Sequence, residues 1–137
     1  MTASERAFAQ VLSQSFNNQP NLLGLEEKVQ PFIFTESKGS TDVGDVSWIV
    51  PTVGLSTATW VPGTAAHSWQ AIAAGGMSIG IQGMMVAAKT LALTAQNLFL
   101  TPSHLEAATV EFEQRRGSDF VYEALLGDRA PPLDYRQ

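Results

Sequence analysis

The chain has 137 residues, of which 45% are hydrophobic and 15% are charged, and its formal net charge is −5. This composition excludes an intrinsically disordered chain, and the acidic balance excludes a general nucleic-acid binder, which needs a basic face. The absence of cysteine excludes disulfides, thiolate catalysis and thiolate zinc sites. The length allows one domain, and without a secretory signal pattern at the start we expect a cytoplasmic protein.

The first predicted element is an amphipathic helix over residues 3–16. Thr2 and Glu5 have the spacing of a capping box, and apolar residues follow at helical intervals. Residues 17–21, with the sequence NNQPN, are predicted to end this helix. A short extended piece is predicted at residues 31–34.

Two strands are predicted next. Residues 46–50 are rich in β-branched and aromatic side chains, and Pro51 follows them, which is typical of a strand that ends. Residues 55–61 have a similar composition, and the sequence PGT at residues 62–64 ends this second strand.

Three helices are predicted in the rest of the chain. Residues 68–74 form a short helix that ends at a pair of glycines, and residues 77–99 form a long one. The third has Thr101 as its N-cap and Pro102 at its first position, and Gly117 stops it.

The charge pattern gives the main constraint on the fold class. No Asp, Glu, Lys or Arg occurs between residues 46 and 88, and the long helix carries one charge, Lys89. A helix that is apolar on most sides is expected to be buried, but a chain this small has little interior. We therefore predict an α/β protein, with few strands flanked by a long apolar helix, that belongs to a larger core or forms an oligomer. Membrane association is a further alternative, which the glycines and polar residues in the apolar run disfavour.

His67 is the first candidate functional residue. It follows the second predicted strand, in the loop of residues 62–68, and α/β proteins bind ligands at the carboxyl ends of strands. A neutral imidazole in such a loop can ligate zinc or act as a general base. A structural or surface role is the alternative for a single histidine.

Asp42 and Asp45 lie three residues apart and could orient a ligand or a histidine. The alternative is turn chemistry, because aspartate favours such bends. Asp42 and His67 could also join a serine in a nucleophilic triad. The two nearby serines, Ser40 and Ser68, do not lie in a G-x-S-x-G elbow, which disfavours that chemistry.

The tryptophans are the remaining candidates. Trp48, Trp60 and Trp69 could line a pocket, since large aromatic side chains supply much of the contact area in binding sites. Packing in the core is the alternative interpretation at these spacings.

Three stretches together resemble a known enzyme family. Residues 39–48 have the sequence GSTDVGDVSW, residues 63–70 the sequence GTAAHSWQ, and residues 77–92 the sequence MSIGIQGMMVAAKTLA. These strings resemble the C-terminal part of the M20 family of metal-dependent amidohydrolases and peptidases, in particular its aminobenzoyl-glutamate hydrolase type.

The resemblance implies both a fold and an activity. The implied fold is the C-terminal part of an α/β/α sandwich catalytic domain, which in the family also carries a lid and dimerisation domain. The implied activity is hydrolysis of amide bonds in N-acyl or aminobenzoyl amino acids or small peptides, with two zinc ions. His67 matches the last metal-binding histidine, and Thr41 and Asp42 match positions next to the metal ligands or the substrate.

The sequence departs from the family pattern in its other metal ligands. It has no H-x-D motif and only two histidines, and the pair Glu26 and Glu27 does not lie where the family's glutamate pair lies. Since a hydrolytic zinc needs about three protein ligands and a bound water, one imidazole is too few. We therefore expect residues 1–137 to form one partial catalytic domain that is inactive alone and needs a complementary chain or a homo-oligomer. A non-catalytic interaction or dimerisation module is the alternative function.

Overall fold

The computed structural model describes residues 1–16, 22–34, 39, 41–124 and 126–134. The helices in these residues are α1 (Ala3–Ser13), α2 (Val43–Ser47), α3 (Trp69–Gly75), α4 (Ser78–Leu100) and α5 (Pro102–Arg116), with one 3₁₀ turn at Leu25–Glu27. No strand occurs in the described part of the chain, so the predicted α/β class, and with it the sandwich of strands and helices, is wrong.

Both predicted strands are replaced by other structure. Residues 46–50 belong to α2 and the turn that follows it, where Val50 N–H donates to the Val46 carbonyl at 3.0 Å. Residues 55–61 form no regular element, and neither do residues 31–34. A strand needs a neighbouring strand to pair its backbone groups, and the described residues offer none, so local hydrogen bonds form instead where they can.

The predicted helices are confirmed, because their end signals are local. Thr2 and Glu5 form the capping box of α1, with Glu5 N–H donating to Thr2 Oγ1 and Thr2 N–H to the Glu5 carboxylate. Thr101 and Pro102 begin α5, and Gly117 follows it with a φ of 84°. The predicted break at residues 17–21 lies outside the described residues.

The chain divides into two compact units. The first consists of Met1–Glu36 and Gly54–Leu100, and the second of Ser37–Val53 and Thr101–Gln137. The loop with His67 therefore belongs to the first unit, whereas Thr41 and Asp42 belong to the second.

The first unit has a small hydrophobic core, formed by the buried residues Ala9, Leu12, Val61, Ala74, Met77 and Ile79. These residues come from α1, from the end of the irregular segment before the His67 loop, from α3, from the turn after it and from the start of α4. Ala74, the core residue of α3, lies near the end of this helix, and α3 packs against α4. The core therefore holds α3, which begins where the His67 loop ends.

The irregular segment crosses α4 at a glycine. A Cβ on Gly83 would overlap the Ala58 carbonyl oxygen and would lie 2.9 Å from the Ala58 carbonyl carbon and from Thr59 Cγ2. Only a residue without a side chain allows this approach of backbone to helix. Gly83 therefore allows the segment that leads to the His67 loop to lie close against α4.

In the second unit, the segment after α5 contacts α2. The Trp48 and Phe120 rings stack with their centroids 4.5 Å apart, and Tyr122 Oη donates to Asp45 Oδ1 at 2.5 Å. These contacts join residues more than 70 positions apart in the chain and hold α2 beside the terminal segment.

Among the described residues, no single helix has the length and hydropathy needed to cross a membrane. The helices α3 and α4 meet those criteria as a pair, with a bend of 76° between them.

Candidate functional site

The loop that carries His67 is held by hydrogen bonds at both ends. Thr64 N–H and Thr64 Oγ1 donate to the Val61 carbonyl at 3.1 and 2.6 Å. Ser68 is the N-cap of α3: its Oγ accepts from Ala71 N–H at 3.2 Å and donates to the Ala65 carbonyl at 2.6 Å. The loop therefore has a defined conformation on either side of the histidine.

His67 has a left-handed backbone conformation, with a φ of 58°, which no other described residue except glycine adopts. For a side chain with a Cβ this conformation costs about 1–2 kcal/mol. Strained residues of this kind occur often at functional sites, where the rest of the fold enforces them. The imidazole itself is exposed.

The imidazole of His67 lines an open cleft of about 620 Å³ in the first unit. The described residues that line it are Trp60, His67, Ser68, Trp69, Ala71 and Ile72. Trp60 is 38% exposed and Trp69 is 62% exposed, so both line the cleft and neither is packed in the core. The third tryptophan, Trp48, belongs to the second unit and stacks on Phe120.

A second cavity of about 380 Å³, which Trp60 also lines, lies between the 3₁₀ turn and residues 57–64. Glu26 lines it: Glu26 Oε2 accepts from Gly24 N–H at 2.6 Å, and Glu26 Oε1 is buried and has no hydrogen-bond partner among the described residues. Glu27 instead pairs with Arg6 at 2.8 Å, and this hydrogen bond lowers the pKa of the Glu27 carboxyl. The two glutamates thus have different environments and do not act as a pair.

Thr41 and Asp42 lie together at the start of α2. Thr41 Oγ1 accepts from Val43 N–H at 3.3 Å and lies 3.5 Å from Asp42 Oδ1. Asp42 is exposed and is the N-cap of α2, but its side chain makes no capping hydrogen bond. Asp45, three residues further along the chain, accepts a hydrogen bond from the Tyr122 hydroxyl, and this hydrogen bond raises the pKa of the Tyr122 phenol.

The described residues do not fit the zinc site that the family resemblance implies. No group of three His, Cys, Asp or Glu side chains placed to hold a metal occurs among them, and His67 is the one imidazole in its cleft. A hydrolytic zinc takes three protein ligands and a water, so this arrangement supplies one ligand at most.

The triad hypothesis gains no support from the geometry. The Ser68 hydroxyl already bonds to the backbone on both sides, which leaves it without a partner base, and His67 and Asp42 belong to separate units. Ser40 lies outside the described residues.

Glu5 has a second role, which the sequence pattern does not indicate. Besides capping α1, its carboxylate accepts from Ser78 N–H at 2.7 Å and from Ser78 Oγ at 2.5 Å, at the start of α4. The Ser78 hydrogen bonds are the main cause of a low pKa of about 2 for Glu5. Because Ser78 lies 73 residues away, no local pattern indicates this contact.

No protein-family model and no solved structure matches the sequence. Over 62 residues the chain is 40% identical to one of the subunits of p-aminobenzoyl-glutamate hydrolase from Escherichia coli (strain K12). The matched stretch covers 44% of this chain but only 13% of that relative's length. The chain is thus a distant, partial relative of a hydrolase subunit.

Proposed function

We propose that this chain is the C-terminal segment of a zinc-dependent amidohydrolase that cleaves amide bonds in N-acyl or aminobenzoyl amino acids or small peptides. The observation that carries the proposal is the 40% identity to the p-aminobenzoyl-glutamate hydrolase subunit over 62 residues. The strained His67 beside an open cleft supports it, because the loop places an imidazole where a substrate has access.

The segment requires further polypeptide to be active. His67 would contribute one zinc ligand, and the other ligands would come from residues outside this chain or from another copy. Thr41 and Asp42 would lie next to the ligands or the substrate in the complete enzyme. The relative is a subunit of a hydrolase and is much longer than the matched stretch, which agrees with a complementary chain.

The exposed face of α4 also supports a larger assembly. Ile79 and Gly83 are the buried residues of this helix, and the opposite face consists of apolar side chains that are exposed to solvent. Ile81, Met84 and Leu91 are all more than half exposed, and Phe99 is 85% exposed. A continuous apolar surface of this kind is typical of a buried interface.

A fusion protein tests the proposal. In it, this chain from the start of its matched stretch onward replaces the corresponding part of the E. coli protein, and the other subunit of that hydrolase is supplied. Release of 4-aminobenzoate from p-aminobenzoyl-glutamate is then measured with and without zinc. We expect zinc-dependent hydrolysis by the fusion and none by the isolated chain. A folded fusion with no activity would refute the proposal.

The two histidines provide a matched pair of variants. His67→Ala is expected to abolish hydrolysis by the fusion, whereas His104→Ala, which removes the other imidazole from an exposed position on α5, is expected to keep it. Asp42→Asn is expected to reduce hydrolysis less than His67→Ala does. Full activity in the His67 variant would remove the assignment of His67 as a ligand.

A non-catalytic dimerisation module is the second candidate function, and the spacing of α4 favours it. Positions 81, 85, 88, 92, 95 and 99 alternate by four and three residues, which is the spacing of a coiled-coil seam, and all six residues are exposed. Mass measurement in solution separates the two functions. A dimer that forms without zinc and is lost in Ala92→Glu would favour the module.

A further inference from the structure

The cleft beside His67 carries an inference about what it binds. Trp69 and Ile72 lie three residues apart on α3, with Trp69 62% and Ile72 82% exposed. Ala71, which also lines the cleft, and Ala74 are buried. The helix therefore exposes its two large apolar side chains at the cleft and buries two of its alanines. This is the reverse of the arrangement that packing alone would favour.

The described residues of the cleft include no Asp, Glu, Lys or Arg. All six lining residues lie in the run from residue 46 to residue 88, which contains no Asp, Glu, Lys or Arg. An ionised ligand group would find no opposite charge on these walls, so the cleft suits a neutral group. The His67 imidazole also lines the cleft, whereas the Ser68 hydroxyl is committed to the α3 cap.

The size and walls of the cleft define the shape of that group. A volume of about 620 Å³ lies within the range of small-molecule sites, which is roughly 300–1,000 Å³. Aromatic rings pair favourably with indole rings, in stacked or edge-to-face arrangements. Trp60 from the irregular segment and Trp69 from α3 offer two such rings on separate elements.

From these features we propose that Trp60 and Trp69 bind the neutral aromatic ring of an aryl amide, with the amide at the His67 edge of the cleft. Trp60 and Trp69 are then the residues that select an aromatic acyl group over an aliphatic one. This proposal rests on the proposed function for the choice of an aryl amide as ligand and for the position of the amide beside His67.

Binding of benzamide to the full chain tests the proposal without zinc or a partner. Each of the three tryptophans gives one indole N–H signal in a ¹H–¹⁵N NMR spectrum, and single variants assign the signals. We expect the Trp60 and Trp69 signals to shift saturably with benzamide while the Trp48 signal stays in place. Cyclohexanecarboxamide, which has the amide without the aromatic ring, is expected to bind at least threefold more weakly.

Variants measure the contribution of each wall. Trp60→Leu and Trp69→Leu are each expected to weaken benzamide binding by about 3- to 10-fold, the usual effect of losing one aromatic partner. Trp48→Leu, the same change in the other unit, is expected to alter the affinity by less than twofold. Equal binding of the two amides, or shifts of all three indole signals together, would overturn the proposal.

The result is independent of the hydrolysis test. If the indole signals shift as expected but the fusion protein is inactive, the proposed function fails and the aromatic cleft stands. If the fusion is active but benzamide does not shift the signals, the cleft proposal fails and the hydrolase assignment stands.

Discussion

Substitution of Gly83 by alanine is expected to destabilise the chain, although alanine favours a helix more than glycine does. In an open helix position the change would stabilise by about 1 kcal/mol. At position 83 the new Cβ would overlap the Ala58 carbonyl oxygen, and the Ala58 carbonyl carbon and Thr59 Cγ2 would each lie 2.9 Å away. Overpacking of this kind costs typically about 1–3 kcal/mol, and the upper part of the range applies because the contact is with backbone. The net loss is therefore about 1–2 kcal/mol.

Urea unfolding followed by circular dichroism measures this loss of stability. Gly75→Ala is the matched control, since Gly75 lies in α3 and a Cβ there would meet nothing within 4 Å. That control is expected to stabilise by about 0.5–1 kcal/mol, so the two variants shift the midpoint in opposite directions. Equal stabilisation by both variants would show that residues 58 and 59 do not pack on α4.

Two further predictions concern pH. The pKa of Glu5 is about 2, below its usual 4.5, so its contribution to stability is complete above pH 4.5 and is lost as the pH falls toward 2. Glu5→Gln is expected to weaken this acid dependence in thermal unfolding, and an unchanged dependence would contradict the Ser78 contact. The pKa of Tyr122 is raised above its usual 10.0 by Asp45, so that contact stabilises the fold below pH 10 and is lost as the pH rises through the raised pKa. Asp45→Asn is expected to bring the phenol's ultraviolet titration back toward pH 10, and no change would argue against the hydrogen bond.

The helices could be predicted from the sequence because their signals lie within a few residues. The capping box at Thr2 and Glu5 and the Thr101–Pro102 pair both mark the helix ends that the structure shows. The long helix was predicted from its apolar composition, and in the structure most of its apolar side chains are exposed.

The strands could not be predicted correctly, because a strand depends on partners and not on its own residues. Residues 46–50 and 55–61 have strand composition, but the described residues contain no neighbouring strand. In α2, Trp48 N–H donates to the Gly44 carbonyl at 3.2 Å, and such local bonds replace the missing ladder.

The candidate site was predicted in part. The position of His67 at the end of a loop before a helix could be inferred from the sequence, and its left-handed backbone could not. From the sequence, the three tryptophans could either line a pocket or pack in the core. In the structure, Trp60 and Trp69 line the cleft, whereas Trp48 stacks on Phe120. Long-range contacts such as that of Tyr122 with Asp45 cannot be predicted from the spacing of neighbouring residues.

The Glu5 carboxylate accepts hydrogen bonds at the start of both α1 and α4, so fraying of the N-terminus also weakens the start of α4. Glu5 bonds both to Thr2 at the start of α1 and to Ser78 at the start of α4. Proteolytic trimming of the first five residues would thus release the opening turn of α4 as well, and with it part of the support for the aromatic cleft. An intact N-terminal segment is therefore needed to keep the residues around the cleft in place.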